Sequence, residues 1–176
     1  MKLMTRQQIA FAFTIAYLWV VMIQLGALVF ETFIIYPNVF HDVPQSLETT
    51  TTFLAVTGPN DFFAPVGFLS LFAGIGATML GWKVKPARYW LLGSVILLII
   101  GQFLLSVWFF WPRNAVMFAE GLDVHSAVYL QEVAQEFQRW HWLRFGSTII
   151  VSAMSFIGFL KLYRHRSMHQ EKQQEV

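Results

Sequence analysis

The chain has 176 residues, 56% of them hydrophobic and only 12% charged, with a mean hydropathy of +0.53 and a formal net charge of +2. Soluble domains carry about a quarter charged residues, so this composition excludes an ordinary soluble domain, and nothing in the charge suggests a nucleic-acid partner. Cysteine is absent, which excludes disulfide exchange, thiolate nucleophiles and cysteine-held metal or iron–sulfur centres, and with them the four-helix membrane enzymes that pass electrons from thiols to quinones.

Four stretches, 9–36, 62–82, 89–111 and 142–163, supply the roughly 20 mainly apolar residues that a helical span needs. They predict an all-α fold: a single integral membrane domain, with a four-transmembrane-helix bundle built from two antiparallel hairpins. Barrel strands would be shorter and would alternate. In the first stretch, Lys2 and Arg6 precede an apolar run too long for a secretory signal and lacking a small-x-small cleavage site, so it reads as a retained first span. Gln24, Glu31 and Asn38 recur there at intervals of seven and fall near one stripe of the helix. Glu31 is the only acidic residue inside any apolar stretch. The span ends outward in Ile35-Tyr36-Pro37-Asn38.

The first outer loop, 37–61, contains the polar run Glu48-Thr49-Thr50-Thr51-Thr52, and Asn60 or Asp61 is the expected cap of span two. The link 83–88 is too short for anything except a tight turn, which pairs spans two and three as a hairpin. Span three carries Gln102 and Ser106 one turn apart, read as interhelical hydrogen-bond partners, and ends in Phe110-Trp111-Pro112-Arg113-Asn114. That ending repeats the end of span one: an aromatic residue, a proline, then an asparagine. Two hairpins related by an axis along the membrane normal would produce it, and so would two helix-ending proline signals.

The segment 125–139 has no proline or glycine, and Val124, Ala127, Leu130, Val133, Ala134 and Phe137 follow helical spacing. The same stripe continues through His141, Arg144, Thr148 and Val151. Either span four extends well above the membrane, or an extra helix in the second outer loop precedes it; a polar tail, 164–176, follows. Lys2, Arg6, Lys83, Lys85, Arg88, Lys161, Arg164, Arg166 and Lys172 fall on one side, against Arg113, Arg139 and Arg144 on the other. The positive-inside rule then places both termini and the 83–88 link in the cytoplasm, with the acidic residues of the loops outside.

His141 and Arg144, one turn apart at the outer end of span four, share a face and match Glu31 in depth. Ionisable groups at membrane depth face the protein interior and find partners. In a working site, Glu31 is a proton acceptor or ligand, His141 a general acid or base, and Arg144 the holder of a phenolate or developing oxyanion. In the structural alternative, Glu31 and Arg144 are counter-ions clasping spans one and four. Trp108, Trp111, Trp140, Trp142 and Tyr36 mark the outer boundary as belt aromatics, with some available to line an aromatic pocket. His41, His125 and His141 with Glu31 offer metal-ligand chemistry, yet no paired Glu-x-x-His motif occurs, so no metal or cofactor is predicted. His165 and His169, one turn apart in the tail, read as solvated. No glycine-rich phosphate loop or serine nucleophile motif stands out.

Gly26 followed by Tyr36-Pro37, the run Pro112-Arg113-Asn114, and the segment from Trp140-His141 to Arg144 together resemble the anthrone oxygenase-like family of small four-helix integral membrane proteins, across most of the chain in order and topology. The resemblance implies oxidation of a polycyclic phenolic compound by dioxygen without a bound cofactor, with Asn114, His141 and Arg144 at the matching positions. Arg113 stands where an apolar residue is expected, and Glu31 is not a family feature. The resulting expectation is a membrane-embedded oxidoreductase acting on a small lipophilic substrate near the outer ends of the helices. Its catalytic residues would be His141, Arg144 and Glu31, and its binding residues Asn114, Arg113, Trp111, Trp140, Tyr36 and Asn38. The expected partners are the lipid bilayer, as in a bacterial inner membrane, a small lipophilic ligand and a second copy of the chain. The alternative is a non-catalytic membrane subunit or small-ligand binder, with a transporter as a third reading.

Overall fold

A computed structural model describes residues 5–174, with side chains through Met168. Lys2 and the side chains of His169 and Lys172 lie outside the described residues. The chain is helical almost throughout, with no strand among the described residues. Four helices are long and apolar enough to cross a membrane: α1 (Arg6–Val39), α3 (Pro59–Gly81), α4 (Lys85–Val124) and the span Ala127–Met168 of α5 (Ala127–Gln174). A short helix, α2 (Gln45–Phe53), lies between the first two.

Local sequence sets the helix ends. Thr5 caps α1, its hydroxyl accepting from the Gln8 N–H while the Gln8 side chain accepts from the Thr5 N–H. Gly58 occupies the cap position of α3, and the Asp61 carboxylate accepts from its N–H at 2.8 Å, so Asp61 acts from inside the first turn and Asn60 does not cap. The polar run 48–52 is helical although it reads as loop. The hydroxyls of Thr49 to Thr52 each donate to the carbonyl four residues back, which satisfies them within α2.

Three spans run further than their prolines and polar residues suggest. A π-helical turn, Glu31–Ile35, precedes Tyr36-Pro37, and another, Ser106–Phe110, precedes Trp111-Pro112. A proline in a regular helix collides with the carbonyl four residues back; the wider turn moves that carbonyl aside and the helix continues. The repeated aromatic-proline ending is thus a repeated local structure, and it does not end either helix. α4 continues to Val124, with Gly121 at φ 53° making the bend before its last turn. α5 is continuous from Ala127, so the segment before Trp142 extends span four and no separate surface helix precedes it. At its far end α5 runs on to residue 174, so the polar segment 164–174 is helical.

Many of the buried positions are small and many of the exposed ones large. Ala73, Ala77, Ala87, Ser70, Ser94, Ser152 and Ser155 are buried, while Phe68, Phe72, Ile75, Trp90, Ile100, Trp108 and Ile150 are exposed. That inversion suits helices surrounded by lipid, where association depends on close backbone approach. α1 lies against α3 and α5, and α4 against α5 and α3, closing a ring of four. The buried stripe on α5 includes Leu130, Val133, Ala134, Phe137, His141, Thr148 and Val151, as the spacing predicts. Val124 and Ala127 do not belong to it. Both are exposed, because the turn at residues 125–126 separates α4 from α5 there.

Two apolar cores result. One gathers Tyr17, Val21, Ala77, Leu91, Val95 and Val151; the other gathers Val39, Leu47, Phe110, Met117, Val133 and Phe137, where α2 joins the later turns of α1 and α4 and the first turns of α5. Between them lies a layer of buried or nearly buried polar side chains: Gln24, Glu31, Thr32, Gln102, His141, Arg144, Ser147 and Thr148.

Candidate functional site

Each helix brings part of this layer. α1 contributes Gln24 and, in its π turn, Glu31 and Thr32; α4 contributes Gln102 from its own π turn, Ile99–Leu104; α5 contributes His141, Arg144, Ser147 and Thr148. An extra residue in a π turn shifts the helix phase by about 100°. Asn38, seven residues after Glu31, is therefore rotated off the buried stripe. It is exposed, and its amide donates to the Ile34 carbonyl at 2.7 Å.

Arg144 Nη2 donates to Glu31 Oε2 at 3.2 Å, with side-chain exposures of 12% and 7%. The guanidinium also lies over the Phe110 ring, 4.6 Å from its centroid, and the Tyr36 side chain interacts with both members of the pair. Gln102 anchors the backbone beneath Arg144. Its amide nitrogen, with two hydrogens to give, lies within hydrogen-bond reach of three acceptors: the Arg144 carbonyl at 2.9 Å, Ser147 Oγ at 3.0 Å and Thr148 Oγ1. Gln102 is thus the interhelical partner that its position in span three suggests.

The ion pair does not sit in closed packing. A cavity of about 90 Å³ opens beside it, walled by Glu31, Tyr36, Gln24, Gln102 and Arg144 on the polar side and by aromatic residues such as Phe63, Phe68 and Phe110 on the other. Asn114, Ser106 and Trp111 complete its wall on α4. Two buried polar atoms on wall residues have no hydrogen-bond partner among the described residues: the acceptor Gln24 Oε1 and the donor Arg144 Nε. Buried polar groups are normally paired.

His141 stands behind this wall and is not among the residues that line the cavity. It is 2% exposed, its Nε2 lies 2.7 Å from Thr32 Oγ1, and its ring meets Tyr36 edge-on with centroids 4.5 Å apart. The Thr32 hydroxyl hydrogen goes to the Leu28 carbonyl at 2.5 Å, so Thr32 accepts and Nε2 donates. Nδ1 then carries the lone pair, and it has no partner among the described residues.

Of the expected binding residues, Asn114, Trp111 and Tyr36 line the cavity, while Arg113, Trp140 and Asn38 do not. Arg113 pairs with Glu136 at 2.6 Å and covers the Phe109 ring, and Trp140 packs on that same ring at 5.0 Å. Gln24 entered the sequence reading only through its stripe; its burial and orphaned oxygen come from packing alone. No three His, Asp or Glu side chains come together among the described residues. His41 bonds the Asn38 carbonyl and His125 pairs with Glu120 at 2.5 Å, both away from Glu31. His165 is partly buried rather than fully solvated. Comparison with protein-family models, curated proteins and solved structures finds no match.

Proposed function

We propose that this chain is an integral membrane protein whose mid-layer cavity takes a small lipophilic molecule bearing an ionisable oxygen, such as a phenol or enol, and removes its proton. Glu31 accepts the proton, Arg144 holds the oxyanion, Gln24 accepts from a second hydroxyl, and the aromatic wall takes the ring. Arg144 is suited to this because its charge is fixed and its neighbours are aromatic, so an oxyanion there loses little to water. The single observation carrying this reading is that the buried Glu31–Arg144 pair borders a cavity whose wall combines Gln24, Gln102 and Tyr36 with aromatic rings.

The resemblance to the anthrone oxygenase-like family extends this reading to oxidation. A deprotonated phenol is the electron-rich species from which dioxygen, soluble in lipid, takes electrons. Size constrains the substrate. A cavity of about 150 Å³ admits benzene, so about 90 Å³ admits the polar edge of one ring. A polycyclic substrate would lie with its other rings between α3 and α4. His141 then acts as a positioning residue for Tyr36 and Thr32.

We further propose the orientation and pairing. Arg6 Nη2 donates to the Met79 carbonyl and the Phe13 ring meets Phe72, which supports α1 and α3 running antiparallel. The basic residues at the Arg6, Lys83 and Arg166 end support placing both termini in the cytoplasm.

The test uses the full chain in nanodiscs with 1-naphthol and its methyl ether. Naphthol is expected to bind and the ether, lacking the acidic hydrogen, to bind at least tenfold more weakly. Arg144→Gln is expected to lower naphthol affinity at least tenfold. Oxygen uptake with naphthol, absent in Glu31→Gln, would mark turnover. Equal affinity for both probes, or undiminished binding by Arg144→Gln, overturns the site. A second reading, a structural clasp without ligand, is supported by the burial of the ion pair and predicts no naphthol binding at all.

A further inference from the structure

A second cavity, of about 250 Å³, lies at the opposite end of the bundle, between the first turns of α1, the last turn of α3 and the far end of α5. Arg6, Lys83, His165 and Arg166 line it, over an apolar floor that includes Phe11 and Leu162. Arg166 is held in place by the Phe11 ring, its guanidinium carbon 4.7 Å from the ring centroid, and Arg6 by its bond to the Met79 carbonyl at 3.3 Å. Two held guanidinium groups and the Lys83 ammonium thus share this lining, with no carboxylate among its described residues. The three ion pairs found among the described residues all lie in the mid-layer or at the other end. Converging cations repel one another and favour an anion between them. An apolar floor beneath a cationic rim matches a phosphate attached to an acyl chain, a combination that basic pockets between membrane helices recognise.

We propose that this cavity binds the phosphate of an anionic phospholipid from the adjoining leaflet. Arg6, Lys83 and Arg166 hold the phosphoryl oxygens, and the floor around Phe11 and Leu162 takes the start of an acyl chain. Arg6 and Arg166 offer forked donors for phosphate oxygens, and Lys83 adds a mobile point charge. The lipid would bridge α1, α3 and α5 at an end where the bundle is otherwise open.

Native mass spectrometry of the purified full chain, exchanged into detergent with phosphatidylglycerol or phosphatidylcholine, tests this. Wild type is expected to retain phosphatidylglycerol at least tenfold better than phosphatidylcholine. Lys83→Gln/Arg166→Gln is expected to reduce that retention about tenfold or more. Lys161→Gln/Arg164→Gln removes the same charge from the same end but outside the cavity, and is expected to retain the lipid. Equal loss in both double variants means diffuse surface attraction and overturns the site. Equal retention of the two lipids by wild type also overturns it, a readout that does not depend on any variant folding. Competition by millimolar inorganic phosphate as effective as by a short-chain phosphatidylglycerol would assign the cavity to free phosphate and overturn the lipid assignment.

Discussion

Arg144 reaches Glu31 across the interface between α5 and α1, Nη2 to Oε2 at 3.2 Å, and both side chains border the same cavity. The pair is therefore at once a tie between two helices and part of a wall that a ligand would touch. A double-mutant cycle separates these roles. Removing one partner of a buried pair leaves an uncompensated charge and costs about 3–5 kcal/mol. Glu31→Gln and Arg144→Gln are each expected to lower stability in denaturant unfolding by an amount toward the lower end, since the cavity admits water. The double variant is expected to be more stable than either single one. A double variant no better than the singles would remove the tie.

His141 lies behind Tyr36, outside the cavity wall. His141→Ala is expected to lower thermal stability through loss of the Thr32 bond and the Tyr36 contact, while naphthol affinity falls less than tenfold. Arg144→Gln is expected to lower affinity at least tenfold in the same titration. Complete loss of binding in a folded His141→Ala would place the imidazole in direct contact with the ligand.

The two N–H hydrogens of the Gln102 amide are shared among three acceptors on α5. Hydrogen bonds between membrane helices are individually modest, averaging about 0.6 kcal/mol, so Gln102→Leu is expected to cost about 1–2 kcal/mol in unfolding. No measurable change would mean that these bonds are replaced by water or by other partners.

Glycines separate close contact from open surface. A Cβ at Gly101 would stand 2.7 Å from Ser147 Oγ and 2.8 Å from Ser147 Cβ, and one at Gly158 2.7 Å from Leu91 Cδ2. Gly101→Ala and Gly158→Ala are expected to destabilise by about 1–3 kcal/mol through overpacking. Gly26, with nothing within 4 Å of its added Cβ, is expected to accept alanine with a gain of up to about 1 kcal/mol from helix propensity. Thermal unfolding of the three variants checks the ordering.

The absence of native cysteine makes topology directly measurable. In intact cells a membrane-impermeant maleimide is expected to label Thr52→Cys and to leave Lys83→Cys unlabelled until the membrane is opened. The reverse pattern would invert the proposed orientation.

Much of the molecule follows from composition and period. Four long apolar runs dictate four long helices, because an unpaired backbone in lipid is prohibitive. The inward stripe on α5 through His141 and Thr148 follows from the 3.6-residue period, and the Glu31–Arg144 contact from matching two rare charges by depth. Boundaries were less legible. Pro37, Pro112 and the threonine run carry loop signals, yet π turns absorb the prolines and back-bonding satisfies the threonines, so local chemistry yields to helix continuity.

What the sequence by itself determined is the class of structure and the rank of its unusual residues: an apolar helical chain whose few mid-layer charges must find one another. Only the tertiary structure decided which of those residues share a space. A π turn rotated Asn38 away, Glu136 captured Arg113, and Thr32 and Tyr36 enclosed His141, while Gln24, Asn114 and Trp111 were brought to the cavity beside Glu31 and Arg144. The reason is geometric. One extra residue in a turn changes helix phase by about 100°, and which neighbour then completes a polar atom depends on the packing of three other helices.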